Sequence, residues 1–490
     1  MIIKISVNEL KENLYLQSDF AGENPIYILL EKKELFYSEN IVELLNKKKL
    51  NISNIGLSFL LKSGVVPQPF TIYENFYILS IGDKLEISRE NGNFKLDFTN
   101  DFNFSHKNKK TYNEFNTDEA LDLLAEATIQ KINKNKNTFL FHSAGKDSNT
   151  ILLSLYKHNY RDINLLTYKA KGPNDESEIS KKIAKQLGYK HIVLSEPEKI
   201  TNSHLENFIK YFKNIPLPVM DTSTLAYPIY DNQLDLSNSN IIDGMGNDVY
   251  MGHIPSINEY RFAHYLSIFS FLKPFTNKIN SENYFNIIGL NKIEWTGLIG
   301  FMDRDALGIY NEFISPDTFW KKLQNKYIDL NYIDLRAKIR GGIVDQEIFM
   351  RKVRNFGDIN NSNIIFPWCN KDVAKYFYNL DNKFLFDDKL LKNKLVLRSL
   401  LKDKLGLDSD KIGKLGYGFD YWKLLENIFL DVRKNILECN LWNKPGIEKL
   451  FIRLSAKSKR KDRYANRAKS LIQRLYLISI WYNNNKYIER

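Results

Sequence analysis

The sequence predicts an α/β fold built on a parallel sheet, preceded by a β-rich part and followed by a largely helical part. Between residues 117 and 194, segments with helical spacing alternate with short, continuous apolar runs. Such alternation is typical of helices that connect the buried strands of a parallel sheet. Before about residue 110 the chain instead shows short apolar runs separated by turn residues, and beyond residue 255 its spacing is mostly helical.

The predicted elements follow one another in a simple order. In the first part we expect strands at 26–30, 34–37, 70–73, 77–79 and 84–87. The polar stretch 100–111 is expected to link this part to the next. There we expect helix 117–134, strand 138–142, helix 147–158, strand 163–169, helix 175–187 and strand 190–194. These elements define two predicted domains, 1–110 and 111–490.

Composition narrows the class of protein. The chain has 490 residues, of which 43% are hydrophobic and 13% aromatic, and this argues for a folded protein with a large core. It contains neither an apolar run of about 20 residues nor the pattern of a signal peptide, so we expect no membrane partner. Two cysteines, Cys369 and Cys439, are too few for a disulfide framework or a zinc cluster. A cytoplasmic location is therefore expected.

The formal net charge is +12. Basic residues are densest in a run at 457–461, and further arginines and lysines follow as far as Arg474. Only Tyr464 interrupts this run with an aromatic ring, so a stacking surface for single-stranded nucleic acid is not indicated. We interpret the run as a solvated helix face. An anionic or nucleic-acid partner is the alternative.

The most informative segment is a small-residue loop between the apolar run 139–141 and a predicted helix. Such a loop points backbone N–H groups and hydroxyls at one spot, where the helix N-terminus also favours an anion. Its aspartate can hold a Mg²⁺ ion that bridges phosphate oxygens. The candidate phosphate-binding residues are Ser143, Ala144, Gly145, Lys146, Asp147 and Ser148.

A second loop follows the short apolar run 239–242. Gly244 and Gly246 allow the backbone to approach a ligand closely, Met245 lies between them, and Asp248 adds a second carboxylate. In an open parallel sheet the ligand lies beyond the carboxyl ends of the strands. We therefore expect the two loops to meet there, with Asp147 and Asp248 as the ligands of Mg²⁺ bound to pyrophosphate.

The first loop resembles the SGGxDS loop of the PP-loop ATP pyrophosphatase superfamily, with Ala144 in place of one glycine. The second resembles the SGEGxDExFGG loop of asparagine synthetases. Weaker similarities to that family follow in the same order along most of the chain: Phe36-Tyr37-Ser38-Glu39, Gly64 to Tyr73, Gly82, Gly172, Asp175-Glu176, Leu187-Gly188, His191, Pro218 to Ser223, Lys394 to Arg398, and Lys411 to Tyr417. The resemblance implies an adenine nucleotide α-hydrolase-like domain preceded by a truncated, inactive glutaminase-like remnant.

Two departures from that family bear on the activity. Asparagine synthetases begin with a catalytic cysteine, whereas residue 2 here is Ile2, and the first loop begins too early for a full glutaminase domain. We therefore expect no glutamine hydrolysis, as in the similar β-lactam synthetases. Met245 stands where the family has glutamate, and a thioether takes up no proton. The base is either supplied by Asp243, His253 or the substrate, or absent, with Met245 packing on an apolar substrate.

The resemblance implies an ATP-dependent amide-bond-forming synthetase that adenylates a carboxylate and joins it to an amine, with ATP and Mg²⁺ as cofactors. It assigns catalysis to Asp147, Asp248 and Lys414, the last stabilising charge at the α-phosphate. The expected substrates are a small-molecule, peptide or sugar carboxylate and an amine. No nucleic-acid partner is expected, and a homodimer stays open.

Two further interpretations are kept. One is sulfur or nitrogen transfer onto an adenylated carbonyl, although no cysteine adjoins the motifs. The other is a catalytically silent relative that serves as a binding or scaffolding subunit, which Met245 and the short first domain suggest.

Overall fold

A computed structural model describes residues 2–169, 175–413 and 420–490 of the protein. It is a mixed α/β structure whose strands form four sheets. The strands are β1 (Ile3–Ser6), β2 (Leu14–Gln17), β3 (Ile26–Glu31), β4 (Glu34–Ser38), β5 (Phe76–Leu79), β6 (Asp83–Glu90), β7 (Asn93–Asn100), β8 (Thr138–Phe141), β9 (Asn164–Lys169), β10 (Lys190–Ser195), β11 (Asn240–Ile242), β12 (Asn363–Ile365), β13 (Phe386–Asp387) and β14 (Lys392–Asn393).

Helices make up most of the remainder. They are α1 (Ile41–Leu45), α2 (Asn54–Ser63), α3 (Thr117–Ile129), α4 (Lys146–Lys157), α5 (Ser177–Leu187), α6 (Asn202–Asn214), α7 (Ala226–Tyr230), α8 (Ile257–Tyr265), α9 (Lys273–Thr276), α10 (Asp303–Ile309), α11 (Asp317–Lys326), α12 (Tyr332–Arg336), α13 (Arg351–Asn360), α14 (Lys371–Tyr378), α15 (Asn382–Leu385), α16 (Leu395–Leu405), α17 (Ser409–Ile412), α18 (Tyr421–Asn427), α19 (Phe429–Leu437), α20 (Lys444–Ser458) and α21 (Arg463–Asn484). A π-helical segment, Ala337–Met350, connects α12 to α13.

The central sheet has five parallel strands in the order β10-β9-β8-β11-β12. Its register pairs Leu140 with Leu165 on one side of β8 and Phe139 with Ile241 on the other. All carboxyl ends therefore lie along one edge, and the loops that follow β8 and β11 are neighbours. The helix after β8 packs its apolar side inward, since Ile151, Leu152 and Leu155 of α4 have no exposed surface.

The first part of the chain forms two antiparallel sheets, ordered β1-β4-β3-β5 and β2-β6-β7. In the first part four of the five predicted strands are confirmed within a few residues, and the strand predicted at 70–73 is wrong. All six elements predicted between 117 and 194 are confirmed within about five residues of their predicted bounds. Residues 70–73 make only isolated bridges, Ile52 to Tyr73 and Phe70 to Tyr77. Pro67 and Pro69 precede them, and prolines lack the N–H groups that a strand ladder needs. Strands β1, β2, β7, β12, β13 and β14 were not predicted.

Beyond Asn100, where β7 ends, the polar stretch predicted as a linker has no regular secondary structure, yet it is packed against the rest of the chain. Phe104 is fully buried within it. The neighbouring Ser105 donates a hydrogen bond of 2.7 Å to Asp334, and the ring of His106 lies 2.7 Å from the same carboxylate. These buried polar contacts join the β-rich part of the chain to α12.

The part of the chain that the structure describes contains no helix with the length and apolar character needed to cross a membrane.

Candidate active site

A cavity of about 330 Å³ opens at the carboxyl edge of the parallel sheet. Its wall combines the ends of β8 and β9, both predicted loops, the segment around α7 and one side chain of α13. The lining residues are Phe141, His142, Ser143, Gly145, Asp147, Ser148, Leu166, Thr167, Tyr168, Glu176, Ser223, Ala226, Tyr227, Asp243, Gly244, Met245 and Lys352. Apolar and aromatic surface with a few converging polar groups is typical of a ligand site.

The first loop is closed by its own small polar groups. The hydroxyls of Ser143 and Ser148 lie 3.2 Å apart, and the Gly145 N–H donates to the Ser143 hydroxyl over 3.0 Å. The Asn149 amide donates to the Ser143 and Gly145 carbonyls. These bonds hold the turn without any bulky side chain, so the loop backbone stays close to the cavity.

The N-terminus of α4 is directed into this loop. Gly145 is its N-cap and, because glycine has no side chain, provides no side-chain cap for the N–H groups of the first turn. An uncapped N-terminus leaves backbone N–H groups and the positive end of the helix dipole available to an anion. The N–H of Ala144 already donates to a carboxylate oxygen of Glu176 over 2.9 Å, so this loop amide is oriented towards an oxyanion.

The second loop contacts the first directly. The Asn247 amide donates to Oδ1 of Asp147 over 2.7 Å. A Cβ atom at Gly244 would lie 3.0 Å from the Ser148 nitrogen, so only glycine fits this approach without movement. Gly246 has φ +114° and would carry a Cβ into the sulfur of Cys369. Both glycines are thus required by close contacts within the protein, and their predicted approach to a ligand stays a prediction.

Asp147 and Asp248 are joined by a residue that was not predicted as part of the site. Nζ of Lys394 lies 2.7 Å from Oδ2 of Asp147 and 3.0 Å from Oδ1 of Asp248. The lysine side chain is only 5% exposed. Its backbone has φ +56°, which is uncommon for a residue other than glycine. Although burial opposes its charge, the two carboxylates raise the pKa of Lys394 above its usual value.

Two more lysines contribute to the charge of the site. Burial and the nearby charges of Lys394 and Arg398 lower the pKa of Lys146 to about 8. Across the cavity, Nζ of Lys352 lies 2.7 Å from Asp221 and 2.6 Å from the Ser223 hydroxyl. Burial opposes the ionisation of Asp221, but the charge of Lys352 lowers the pKa of this carboxyl.

Asp243 and Met245 lie in the cavity wall, whereas His253 does not. Asp243 accepts the Met245 N–H over 2.9 Å. Burial raises the pKa of the Asp243 carboxyl to about 6, with this hydrogen bond and Lys352 acting in the opposite direction. His253 is instead bound to Asp345 over 2.9 Å and to Arg336. Of the two side chains considered as a replacement base, Asp243 is therefore the one that faces the cavity.

The donor set suits Mg²⁺. Two partly exposed carboxylates, those of Asp147 and Asp248, already converge on one cation, the Lys394 ammonium. Mg²⁺ takes one or two protein carboxylates and completes its shell with phosphate oxygens and water. Within the described ranges, no group of three or more His, Cys, Asp or Glu side chains could hold a metal ion. A metal here would therefore depend on phosphate oxygens for the rest of its shell.

The structure thus brings most of the predicted residues together. The cavity is lined by Ser143, Gly145, Asp147, Ser148, Gly244 and Met245. Asp248 is not among the lining residues, but it contacts Lys394, which also contacts Asp147. Ala144 and Lys146 belong to the same loop, while Gly246 packs on Cys369. Lys414 and Gly172 lie outside the described residues.

Sequence reasoning missed Lys394 and Lys352 as members of the site. Lys394 carried a signal, since it begins the segment that resembles a KxxLR motif, but nothing in the sequence indicated which groups it would contact. Lys352 carried no signal that separates it from the other basic residues of this chain, which has 70 lysines and arginines.

Comparison of the chain with the models of known protein families and with curated proteins gives no match to either.

Proposed function

We propose that this protein is an ATP-dependent amide-bond-forming synthetase of the PP-loop, asparagine-synthetase-like type. It would adenylate a substrate carboxylate, release pyrophosphate, and then join the acyl group to an amine with release of AMP. The observation that carries the proposal is the meeting of two strand-following loops at one cavity, where Asp147 and Asp248 share a single cation.

The phosphate chain is assigned to the first loop. The serine hydroxyls of Ser143 and Ser148 and the uncapped N-terminus of α4 provide donors at the cavity wall. Asp147 and Asp248 would hold Mg²⁺, which neutralises phosphate charge when bound. Lys146, on the first turn of α4, adds a cation beside the same carboxylates.

The carboxylate and the amine are assigned to the opposite wall. Tyr227, Ala226 and Met245 give that wall an apolar surface, and Lys352 places a cation in it. Asp243 is the candidate base for the amine, because its pKa of about 6 leaves it ionised but still basic near neutral pH. A carboxylate in this position could take the proton that the amine loses as the amide forms.

The cysteines argue against a sulfur-transfer variant of this reaction. Cys369 and Cys439 are both buried. Burial raises the pKa of the Cys369 thiol well above its usual value and that of Cys439 to about 11. Sulfur carriers react as thiolates, so neither side chain is prepared for that role.

The test is an ATP–pyrophosphate exchange assay on the full chain over pools of carboxylic acids, followed by product masses with pools of amines. Asp147→Asn should abolish exchange while the fold is retained, as should Asp248→Asn. Asp97→Asn, an exposed position on β7, is the matched control and should exchange like the wild type. Full activity in the Asp147 variant would refute the assignment, and absence of exchange with every pool would favour a silent scaffold.

A further inference from the structure

An unusually apolar surface lies on the segment that follows the second loop. Between residues 257 and 285 ten large hydrophobic side chains are at least 41% exposed, out of 20 that reach this exposure in the described chain. We define this surface as the aromatic face. Its members are Ile257, Tyr260, Phe262, Tyr265, Ile268, Phe269, Phe271, Phe275, Tyr284 and Phe285.

The aromatic face is carried by short helices that pack against one another. They are α8, a 3₁₀ turn at Ser267–Leu272, α9, and a second 3₁₀ turn at Tyr284–Gly289. Phe271 and Phe275 are 71% and 67% exposed, so water contacts most of each ring. Contiguous exposed apolar surface of this kind marks an interaction site rather than ordinary surface variation.

The acidic and basic side chains of this segment differ in their exposure. Its acidic side chains are engaged within the protein, Glu259 with Arg336 and Glu282 with both Arg453 and Lys457. Arg261 and Lys278, in contrast, are exposed. The face therefore offers positive charge and aromatic rings to a partner.

The basic run that the sequence singled out lies beside the aromatic face. The ring of Tyr284 is 6.2 Å from that of Tyr464, and the Arg463 guanidinium lies 5.8 Å from the Tyr284 ring. The turn between α20 and α21 thus brings its exposed cations, Lys459, Arg460 and Lys461, to the edge of the aromatic face.

We propose that the aromatic face and the adjoining basic turn dock the protein on an anionic lipid surface. Aromatic and aliphatic side chains that enter the interface, combined with basic residues that attract anionic headgroups, are the two signals that hold peripheral proteins on bilayers. This arrangement needs no helix that crosses the membrane, and it is separate from the catalytic proposal. It departs from the expectation of no membrane partner, which considered only membrane-spanning segments and signal peptides.

A second copy of this chain fits the same surface less well. In a symmetric contact the same patch meets itself, so the basic turns and the exposed Arg261 and Lys278 would face surfaces of their own sign. Single-stranded nucleic acid would use the rings for stacking, but Ile257 and Ile268 offer no flat π surface.

The test is co-sedimentation of the full chain with vesicles of phosphatidylcholine alone and with vesicles that contain equal parts of phosphatidylglycerol. We expect binding to the anionic vesicles that weakens as salt is raised. The double variant Phe271→Ser/Phe275→Ser should lower partitioning by about tenfold or more. Lys459→Glu/Lys461→Glu should lower it by roughly tenfold.

Two matched controls separate docking from general stickiness. Tyr15→Ser removes an aromatic ring that is 67% exposed on β2, and Lys181→Glu/Lys182→Glu reverses two exposed lysines on α5. Both should sediment like the wild type, and all variants should keep the wild-type melting temperature. The proposal is overturned if the wild type does not bind anionic vesicles, if neutral vesicles bind it equally, or if the Phe271/Phe275 variant instead loses self-association or RNA binding.

Discussion

Lys394 donates a hydrogen bond of 2.7 Å to Asp147, although 247 residues separate the two in sequence. The same ammonium lies 3.0 Å from Asp248. The two carboxylates proposed to hold Mg²⁺ are thus already paired with a buried cation, and any metal at this position has to share them with Lys394.

Lys394→Ala should destabilise the protein and make its stability depend on Mg²⁺. Without the ammonium, two neighbouring carboxylates repel each other, and because both are partly exposed we expect a loss of up to about 3 kcal/mol. Mg²⁺ should restore more of the melting temperature in the variant than in the wild type. Lys392→Ala, which removes an exposed pair with Asp410, is the control and should change stability by less than about 1 kcal/mol. Equal Mg²⁺ responses in variant and wild type would argue against a metal site here.

Asp243→Asn should stabilise the protein at neutral pH. The pKa of this carboxyl is about 6 in the folded protein against a usual 3.8, so the folded state binds more protons between those values. Wild-type stability therefore falls as the pH rises through this window, by at most about 3 kcal/mol, and the asparagine variant should lack this fall. Unfolding free energies of both proteins, measured from about pH 4 to about pH 7, give the difference.

The same variant tests the proposed base. Asparagine keeps an oxygen for the Met245 N–H but takes up no proton. Asp243→Asn should therefore retain ATP–pyrophosphate exchange and lose most amide formation. Loss of both partial reactions would point to a binding role, and retention of both would remove Asp243 from the mechanism.

Lys352→Met should weaken binding of the carboxylate substrate. The lysine holds Asp221 and Ser223 at the cavity wall, and its removal also leaves Asp221 without that cation. We expect a raised KM for the carboxylate with a smaller change in kcat, measured by exchange. Lys352→Arg, which retains the charge, should recover part of the loss. A fall in kcat alone would place Lys352 closer to the chemistry than we propose.

Glutamine should not serve as the nitrogen source. Glutamine hydrolysis by a cysteine nucleophile needs a thiolate, and burial raises the pKa values of both cysteines. Incubation with glutamine and ATP should release no glutamate above the level of a protein-free control. Appreciable glutamate formation would show that the first part of the chain has been misread.

Lys414→Ala should lower turnover by on the order of 10²–10³, the usual effect of losing a preorganised electrostatic contact. This prediction rests on the resemblance of its segment to the family loop, since Lys414 lies outside the described residues. Melting temperature and ATP binding should stay near the wild type. A variant that loses stability but not turnover would make the lysine structural.

The sequence by itself determined four of the five parallel strands, all except β12, and the two loops, because each depends on local patterns. The apolar run that became β8 and the small residues that follow it specify a strand, a tight turn and a helix start within 20 residues of chain, roughly the span over which periodicity is informative. The sequence also indicated close backbone approach at Gly244 and Gly246, but it did not indicate that the neighbours would be Ser148 and Cys369 of the same chain.

Only the tertiary structure decided which charges meet and which rings stay exposed. Lys394 reaches Asp147 and Asp248 because α16 and the two loops are packed together. Burial is the main cause that raises the pKa of Asp243. The aromatic residues of 257–285 could have formed core on sequence evidence, yet the fold leaves them in solvent. Contacts between distant segments, and the burial of side chains such as Lys394 and Asp243, are properties of packing that the local sequence pattern does not encode.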